Sequence, residues 1–308
     1  MKTNLPKCFV FVVAVLLVGG AAARAATLLR NKFPLGEAYH YTMNQDQVMI
    51  IHVPGQDITQ NVTQNMIIDM TTKVEAVDAK GNASLTLLMD RVRMKVDTPQ
   101  GVIIDYDTAS QEKPKGLAKM IALIFEPMTK KPFKMKQSPL GKISDVKMPE
   151  GLNEALKKAS TAAAQVGGTI PSEEDLSDNM KVGGFIFPDE PVSEGKTWTI
   201  ENIKNFEGAG KKKVKTTYRY AGKENKDGKD LDKISVTEAL KSPGDNKNSD
   251  LKSMSTAGTI YFDNTAGIMV EQNLNSKMKI EKTTNGTQVS IDVNVANTTK
   301  LVSVDSTK

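Results

Sequence analysis

The feature that most constrains this 308-residue chain is a long alternation of apolar and polar residues. From Val62 to Ala76, the even positions are mostly apolar, whereas the odd positions are mostly Asn, Thr, Asp, Lys and Glu. Successive side chains of a β-strand point to opposite faces of its sheet. The period of two therefore predicts a long strand with one buried face.

The strand that follows changes its alternation partway along. Its apolar residues first occupy odd positions and then even ones: Leu85, Leu87 and Met89, followed by Val92, Met94 and Val96. A β-bulge inserts one extra residue into a strand and so shifts the alternation by one. The switch predicts a bulge between residues 88 and 91, which would bend the sheet.

Residues 112–187 have a different pattern. Apolar residues recur at helical spacing from Leu117 to Ile124 and again from Leu152 to Ala159, and the first run ends at Pro127. Between them, the four residues Ser138–Gly141 fit a type I turn. We expect a helical bridge here, between a β half at residues 26–111 and a second β half at residues 188–308.

Strand patterns return after Pro188. Even positions from Ile268 to Ile280 are mostly apolar, residues Asp263–Gly267 read as a turn, and Asn285-Gly286 is a strong hairpin signal. The predicted fold is mainly β (α+β), with two related curved antiparallel sheets joined by the helical bridge. An internal repeat is also predicted, because Leu35–Tyr41 and Glu194–Ile200 both carry an aromatic residue three positions after a glycine.

Residues 1–25 have the pattern of a cleavable signal peptide. Two lysines precede an apolar run from Cys8 to Val18, and Ala23 and Ala25 supply small residues at the cleavage positions. We expect cleavage between Ala25 and Ala26. The predicted location is periplasmic or secreted, and the mature form is expected not to span a membrane, because no later apolar stretch is long enough.

Removal of this leader changes the charge and the cysteine content. Three of the 41 Lys and Arg residues and the single cysteine lie within it, against 36 Asp and Glu residues in the whole chain. The mature chain would carry a small positive excess, which gives no electrostatic case for a nucleic-acid partner. It would also contain no disulfide and no thiolate.

Three segments carry a family resemblance: Phe33–Tyr41, the turn region from Val74 to Gly81, and Pro188–Trp198. They resemble a family of exported bacterial proteins of unknown function, which implies no catalytic residues. At the level of fold, the pattern of long bent strands and helices is more distantly similar to the half-barrels of periplasmic lipoprotein carriers.

The residues that could support catalysis or metal binding are few. His40 and His52 are the only histidines, and neither has the spacing of a zinc ligand. Asp105 and Asp107 share a strand face, but no partner residue is positioned beside them for catalysis. Residues 225–232 match a calcium-binding loop only in part, and we prefer to interpret them as a polar hairpin turn. The sequence predicts a non-enzymatic protein with no catalytic residue, no metal site and no cofactor.

Methionine is frequent on the strand faces predicted to be buried. Such residues either fill gaps in a core or line an adaptable cavity for acyl chains, since thioethers suit ligands of variable shape. Under the second interpretation we predict a ligand-binding face formed by Met66, Ile68, Met70, Leu87 and Met89. The first functional hypothesis is a binding or carrier module for a hydrophobic or acyl ligand. The alternative is a structural or assembly component of the cell envelope that binds a protein partner through a sheet edge.

Overall fold

A computed structural model describes residues 26–53, 59–164, 170–206, 209–241, 251–284 and 287–306. The predicted signal peptide and the Asn285-Gly286 dipeptide lie outside these ranges. Among the residues described, every helix is too short or too polar to span a bilayer.

Within the described ranges, twelve strands form one antiparallel sheet. Their bounds are β1 Ala38–His52, β2 Thr59–Val77, β3 Ala83–Thr98, β4 Gly101–Asp107, β5 Phe133–Gln137, β6 Ile143–Lys147, β7 Thr197–Phe206, β8 Gly210–Lys226, β9 Lys229–Leu240, β10 Leu251–Asp263, β11 Ile268–Thr284 and β12 Thr287–Asp305. The order across the sheet is β6-β5-β3-β2-β1-β12-β11-β10-β9-β8-β7, and β4 pairs with β3 beside this path.

The predicted class, mainly β with a few helices, is confirmed, but the halves are parts of one open, curved sheet and not two separate sheets. Strand β1 pairs with β12 along its whole length, from Ala38 opposite Asp305 to His52 opposite Ser290. The last strand of the chain thus closes onto the first and leaves no free edge between the halves. We call this pairing the seam.

The predicted bulge is present in β3. Asp69 of β2 pairs with Arg91 and the next residue, Met70, pairs with Met89, so Asp90 is the extra residue. The Thr71 hydroxyl donates a hydrogen bond to Asp90 Oδ2 at 2.6 Å. The bulge keeps the apolar residues on one face on both sides of Asp90, as the switch in alternation indicates.

Three helices lie between β4 and β7: α1 Ala118–Phe125, α2 Leu152–Ala164 and α3 Glu173–Gly183. The first two match the helical spacing in the sequence. The turn predicted at Ser138–Gly141 is also confirmed, because the Gly141 amide donates to the Ser138 carbonyl at 2.8 Å. Helix α3 was not predicted, although Ser172 and Asp175 form a capping box at its start and acidic residues fill its first turn.

Helix α3 explains how the sheet curves. It contacts both β6 and β7, which are the two ends of the strand order. The sheet must bend for both ends to reach the same helix. We call the face towards the helices the inner face and the opposite one the outer face.

The inner face carries the core. One cluster, on the C-terminal strands, includes Tyr218, Ile234 and Phe262, and a second, on the N-terminal strands, includes Val74 and Leu85. A third joins the helical region to β3. The outer face is polar and carries ion pairs such as Arg93–Asp69 at 2.8 Å.

The starts of β1 and β7 are built alike. Gly36 and Gly195 both have a positive φ, of 83° and 90°, which favours glycine. The Gly36 amide donates to the Val74 carbonyl, and the Val74 amide donates to the Glu37 carbonyl. In the same way, the Gly195 amide donates to the Tyr220 carbonyl, and the Tyr220 amide donates to the Lys196 carbonyl. This equivalence supports the internal repeat predicted from the sequence.

Candidate functional site

The five residues predicted to bind a ligand lie on the inner face. Met66, Ile68 and Met70 are on β2, and Met70 pairs directly with Met89 of β3. Leu87 is two residues before Met89 and so shares its face. Ile68 is buried, whereas the other four are partly exposed.

The structure divides these five residues into two groups. Leu87 and Met89 pack against the helical region, in the cluster that contains Phe133, Leu152 and Leu156. Both are only partly buried there, so this packing does not test their predicted role. Met66, Ile68 and Met70 lie further along the inner face, towards the seam, and their role in ligand binding stays a prediction.

A pocket of about 230 Å³ lies beside Met70, where the two halves meet. Strands β1, β2 and β3 contribute Tyr41, Thr72 and Leu85, and the C-terminal half contributes residues of the β10–β11 turn and β11. The pocket is lined by Asn31, Lys32, Phe33, Tyr39, Tyr41, Thr72, Leu85, Gln137, Gly183, Gly184, Phe185, Gly267, Ile268, Met269 and Gln272. We call it the seam pocket. Its walls combine aromatic and aliphatic side chains with a few polar groups, as is usual for small-molecule sites.

One polar group of the seam pocket has no partner. The Asn31 side-chain nitrogen Nδ2 is buried, and no hydrogen-bond acceptor is provided for it by the described part of the chain. A buried donor without a partner costs roughly 1–3 kcal/mol. Because this nitrogen has almost no accessible surface, a ligand in the pocket would reach it only after a local rearrangement.

The two tyrosines of the pocket are held in place by hydrogen bonds. The Tyr41 hydroxyl donates to the Met269 carbonyl at 3.1 Å, across the seam, and the Tyr39 hydroxyl donates to Glu37 Oε2 at 2.8 Å. Burial raises the pKa of both phenols, and the Glu37 carboxylate adds to the increase at Tyr39. Both therefore stay neutral at physiological pH and present their rings as apolar walls.

The N-terminal segment forms one side of the pocket. Arg30 donates hydrogen bonds to the carbonyls of Leu29, Pro188 and Asp189 at 2.6–2.7 Å, which fixes this segment against the C-terminal half. The Lys32 amide donates to the Gly267 carbonyl at 3.0 Å. A Cβ at Gly267 would lie 2.4 Å from Lys32 atoms, so this close approach requires glycine.

A buried polar row crosses the inner face on the C-terminal strands. The Lys204 ammonium donates to both Glu238 oxygens at 2.7 and 2.8 Å, and the Thr216 hydroxyl donates to Glu238 at 2.7 Å. Thr256 and Ser276 continue the row, with their hydroxyls 2.8 Å apart. Each group is satisfied, as buried polar groups must be.

The carboxylates of Asp105 and Asp107 lie on the outer face. Asp107 forms a salt bridge with Arg91, and this hydrogen-bonded guanidinium holds the pKa of the Asp107 carboxyl below its usual range. Asp105 is opposite Lys95 in the β3–β4 pairing. The cavity of about 370 Å³ beside the two aspartates is lined by other acidic and lysine side chains and by neither histidine.

Both histidines also point to the outer face. His52 lies 3.4 Å from Asp292. His40 Nε2 lies 2.9 Å from Asp305 Oδ2, and His40 Nδ1 lies 2.9 Å from the Thr71 hydroxyl oxygen. His40 thus links β2, β1 and β12 across the seam, which is a structural role.

Residues 225–232 form the predicted polar hairpin turn. Strand β8 ends at Lys226 and β9 begins at Lys229, and the two residues between them, Asp227 and Gly228, both have positive φ. The Asn225 amide donates to Asp230 Oδ1 at 2.9 Å.

Comparison with solved structures gives distant likenesses. A structure of lipid–protein interactions in lipovitellin has 12% sequence identity and a TM-score of 0.49, and the match covers 90% of this chain and 26% of the lipovitellin chain. An outer membrane channel from Pseudomonas putida F1 has 8% identity and a TM-score of 0.26, with 88% and 97% coverage. The hypothetical lipoprotein YmcC from Escherichia coli has 8% identity and a TM-score of 0.21, with 81% and 85% coverage. TM-scores below 0.5 do not define a shared fold.

Sequence comparison identifies the family. No curated protein matches the chain. A family model does match, over residues 80–307, and it is described as a family of unknown function, DUF6263. This agrees with the predicted resemblance to a family of unknown function. Of its three segments, Pro188–Trp198 lies within the matched range, Val74–Gly81 overlaps its start, and Phe33–Tyr41 precedes it. Because the match covers most of the sequence, the chain belongs to the DUF6263 family.

Proposed function

We propose that the protein is a non-enzymatic, exported binding or carrier module that takes up a small hydrophobic or acyl ligand in the seam pocket. The observation that carries the proposal is the seam pocket itself, whose lining combines aromatic and aliphatic side chains with polar ones such as Gln137 and Gln272. An acyl chain would contact the apolar part of the lining, and its carboxyl or ester oxygen would accept hydrogen bonds from the polar side chains.

The size of the pocket limits the ligand. Pockets for drug-sized ligands have roughly 300–1,000 Å³, so about 230 Å³ admits a small molecule or one part of an acyl chain. Met66, Ile68 and Met70 continue the apolar surface along the inner face of β2 from this point. We infer that a longer chain would extend over the partly exposed Met70 and Met66.

The alternative, assembly through a free sheet edge, has less support. The edge strands β6 and β7 are both in contact with α3, and β4, which pairs with β3 beside the main path of the sheet, is in contact with α1. On β7, the Asn205 amide and carbonyl are already hydrogen-bonded to the Asn179 side chain. A partner strand would have to displace this helix from that part of the edge.

The test is uptake of a naturally fluorescent polyene fatty acid by the wild-type protein and by Thr72→Trp. Thr72 lines the seam pocket from the inner face of β2. In an empty pocket the indole is accommodated and occupies the ligand's space. We therefore expect the wild type to bind the probe, and the variant to lose binding while its midpoint of thermal unfolding stays near that of the wild type.

Thr63→Trp is the matched control. Thr63 is on the same strand but is exposed on the outer face, so this variant should bind the probe normally. The proposal is wrong if the wild type takes up no probe, or if Thr72→Trp binds as well as the wild type. Overpacking of a filled core would instead destabilise Thr72→Trp by roughly 1–3 kcal/mol.

A further inference from the structure

A second cavity, of about 830 Å³, lies on the outer face beside the β5–β6 hairpin. Strand β3 contributes Ser84 and Thr86, and β5 contributes Lys134 and Lys136. These four alternate with the inward-facing Leu85 and Met135, which are buried. Leu85 and Met135 also belong to the lining of this groove, and Leu85 is shared with the seam pocket. The polar side chains of the groove lie on the opposite side of the sheet from the seam pocket.

Two positively charged lysines of this groove lie directly opposite each other on neighbouring strands. Lys134 and Lys147 are direct partners in the antiparallel pairing of β5 with β6. Like charges at directly opposed positions destabilise a sheet. Neither ammonium group has an ion-pair partner within the part of the chain that the structure describes.

The carboxylates of the groove are occupied by other lysines. Asp145 binds Lys136 at 2.9 Å, and this hydrogen bond lowers the pKa of the Asp145 carboxyl, with a smaller contribution from the charge of Lys147. Glu75 lies 3.5 Å from Lys73. Among the described residues, Lys134 and Lys147 thus form no salt bridge, although the charge of Lys147 acts on Asp145 at longer range.

We propose that this groove binds a phosphate group, held by the ammonium groups of Lys134 and Lys147 and by the hydroxyls of Ser84 and Thr86. A phosphate monoester carries a charge of about −1.5 to −2 at pH 7, which matches the charge of these two lysines. Its oxygens accept several hydrogen bonds, and those from ammonium groups are the strong ones. The site is independent of the apolar ligand proposed for the inner face.

The test compares the wild type with the double variant Lys134→Gln/Lys147→Gln. Inorganic phosphate is titrated by calorimetry at fixed ionic strength, and flotation is measured with phosphatidylcholine vesicles with and without phosphatidic acid. We expect the variant to bind phosphate about tenfold or more weakly, since each hydrogen bond to a charged group contributes roughly that factor. Without phosphate, the variant should unfold at a higher temperature than the wild type, because the repulsion between the lysines is gone.

The control is Lys157→Gln/Lys158→Gln, which removes the same charge from exposed positions of α2 and should bind phosphate like the wild type. Binding to vesicles that contain phosphatidic acid would identify a lipid headgroup as the source of the phosphate, and binding of inorganic phosphate alone would identify a soluble ligand. The proposal is overturned if the wild type binds neither, or if Lys134→Gln/Lys147→Gln binds as tightly as the wild type. The lysines would then serve only to keep the edge strand β6 from pairing with another chain.

Discussion

At the scale of single residues, Asp232 shows how the core of the C-terminal half accommodates a carboxyl group. Its side chain is only 1% exposed, and its Oδ1 accepts a hydrogen bond of 2.6 Å from the Tyr220 hydroxyl. Burial raises the pKa of this carboxyl, and the tyrosine hydrogen bond opposes the increase only in part. Ionised Asp232 therefore costs folding free energy.

The difference in free energy of unfolding between the variant Asp232→Asn and the wild type should depend on pH, because the variant cannot ionise at this position. In the unfolded chain the carboxyl ionises near its ordinary pKa of about 3.9, whereas the folded protein holds the proton to a higher pH. The wild type thus loses stability from about pH 4 up to the raised pKa. We expect the free energy of unfolding of the variant, relative to the wild type, to increase across that range and then level off, as measured by urea denaturation. A difference that is constant or falls with increasing pH would contradict this account.

Single residues also show what can be predicted from sequence. The alternation from Val62 to Ala76 correctly places Ile68 and Val74 in the core, because a strand has only two faces. No sequence pattern of this kind predicts that the Asn31 side-chain nitrogen is buried without a partner. Its burial depends on Gly141 and Phe185, which are distant in sequence, so no local pattern distinguishes Asn31 from other polar residues.

At the scale of elements, α3 is the part that the sequence interpretation missed and that most affects the architecture. Its capping box at Ser172 and Asp175 is a recognisable start signal, but its apolar periodicity is weak because none of its residues is fully buried. The short strands β5 and β6 were missed for a similar reason, since five residues are too few for an alternation to be distinctive. The long strands and the bulge at Asp90 were predictable.

The variant Asn179→Ala tests whether α3 holds the edge strand β7. The Asn179 side chain donates to the Asn205 carbonyl at 3.2 Å and accepts from the Asn205 amide at 3.1 Å. Loss of both bonds should lower the free energy of unfolding by roughly 1–3 kcal/mol. Hydrogen exchange at the Asn205 amide should become faster, whereas exchange in β11 should change much less.

The control for this experiment is Asn153→Ala, the same substitution at an exposed position of α2. It should leave both stability and the exchange rate at Asn205 near their wild-type values. If Asn179→Ala behaves like this control, α3 does not fix β7, and the curvature of the sheet needs another explanation.

At the scale of the whole molecule, the seam is the feature that could not be predicted from sequence patterns. It pairs residues 38–52 with residues 290–305, and alternation predicts each strand without specifying its partner. The same limit applies to the seam pocket, whose lining comes from the N-terminal segment, five strands, the end of α3 and two connecting segments. The five predicted ligand-binding residues lie on the same face of the sheet as the seam pocket but not in its lining, and their role stays a prediction.

The proposed carrier function requires that the seam pocket hold an acyl ligand. The most direct test is photolabelling of the wild-type protein with a fatty acid that carries a diazirine on its chain, followed by assignment of the modified residues by mass spectrometry. We expect labels on Tyr41, Phe185 or Met269, and we expect excess unlabelled fatty acid to suppress them. Labels confined to outer-face residues such as His40, or no label that competes with the free fatty acid, would contradict the account.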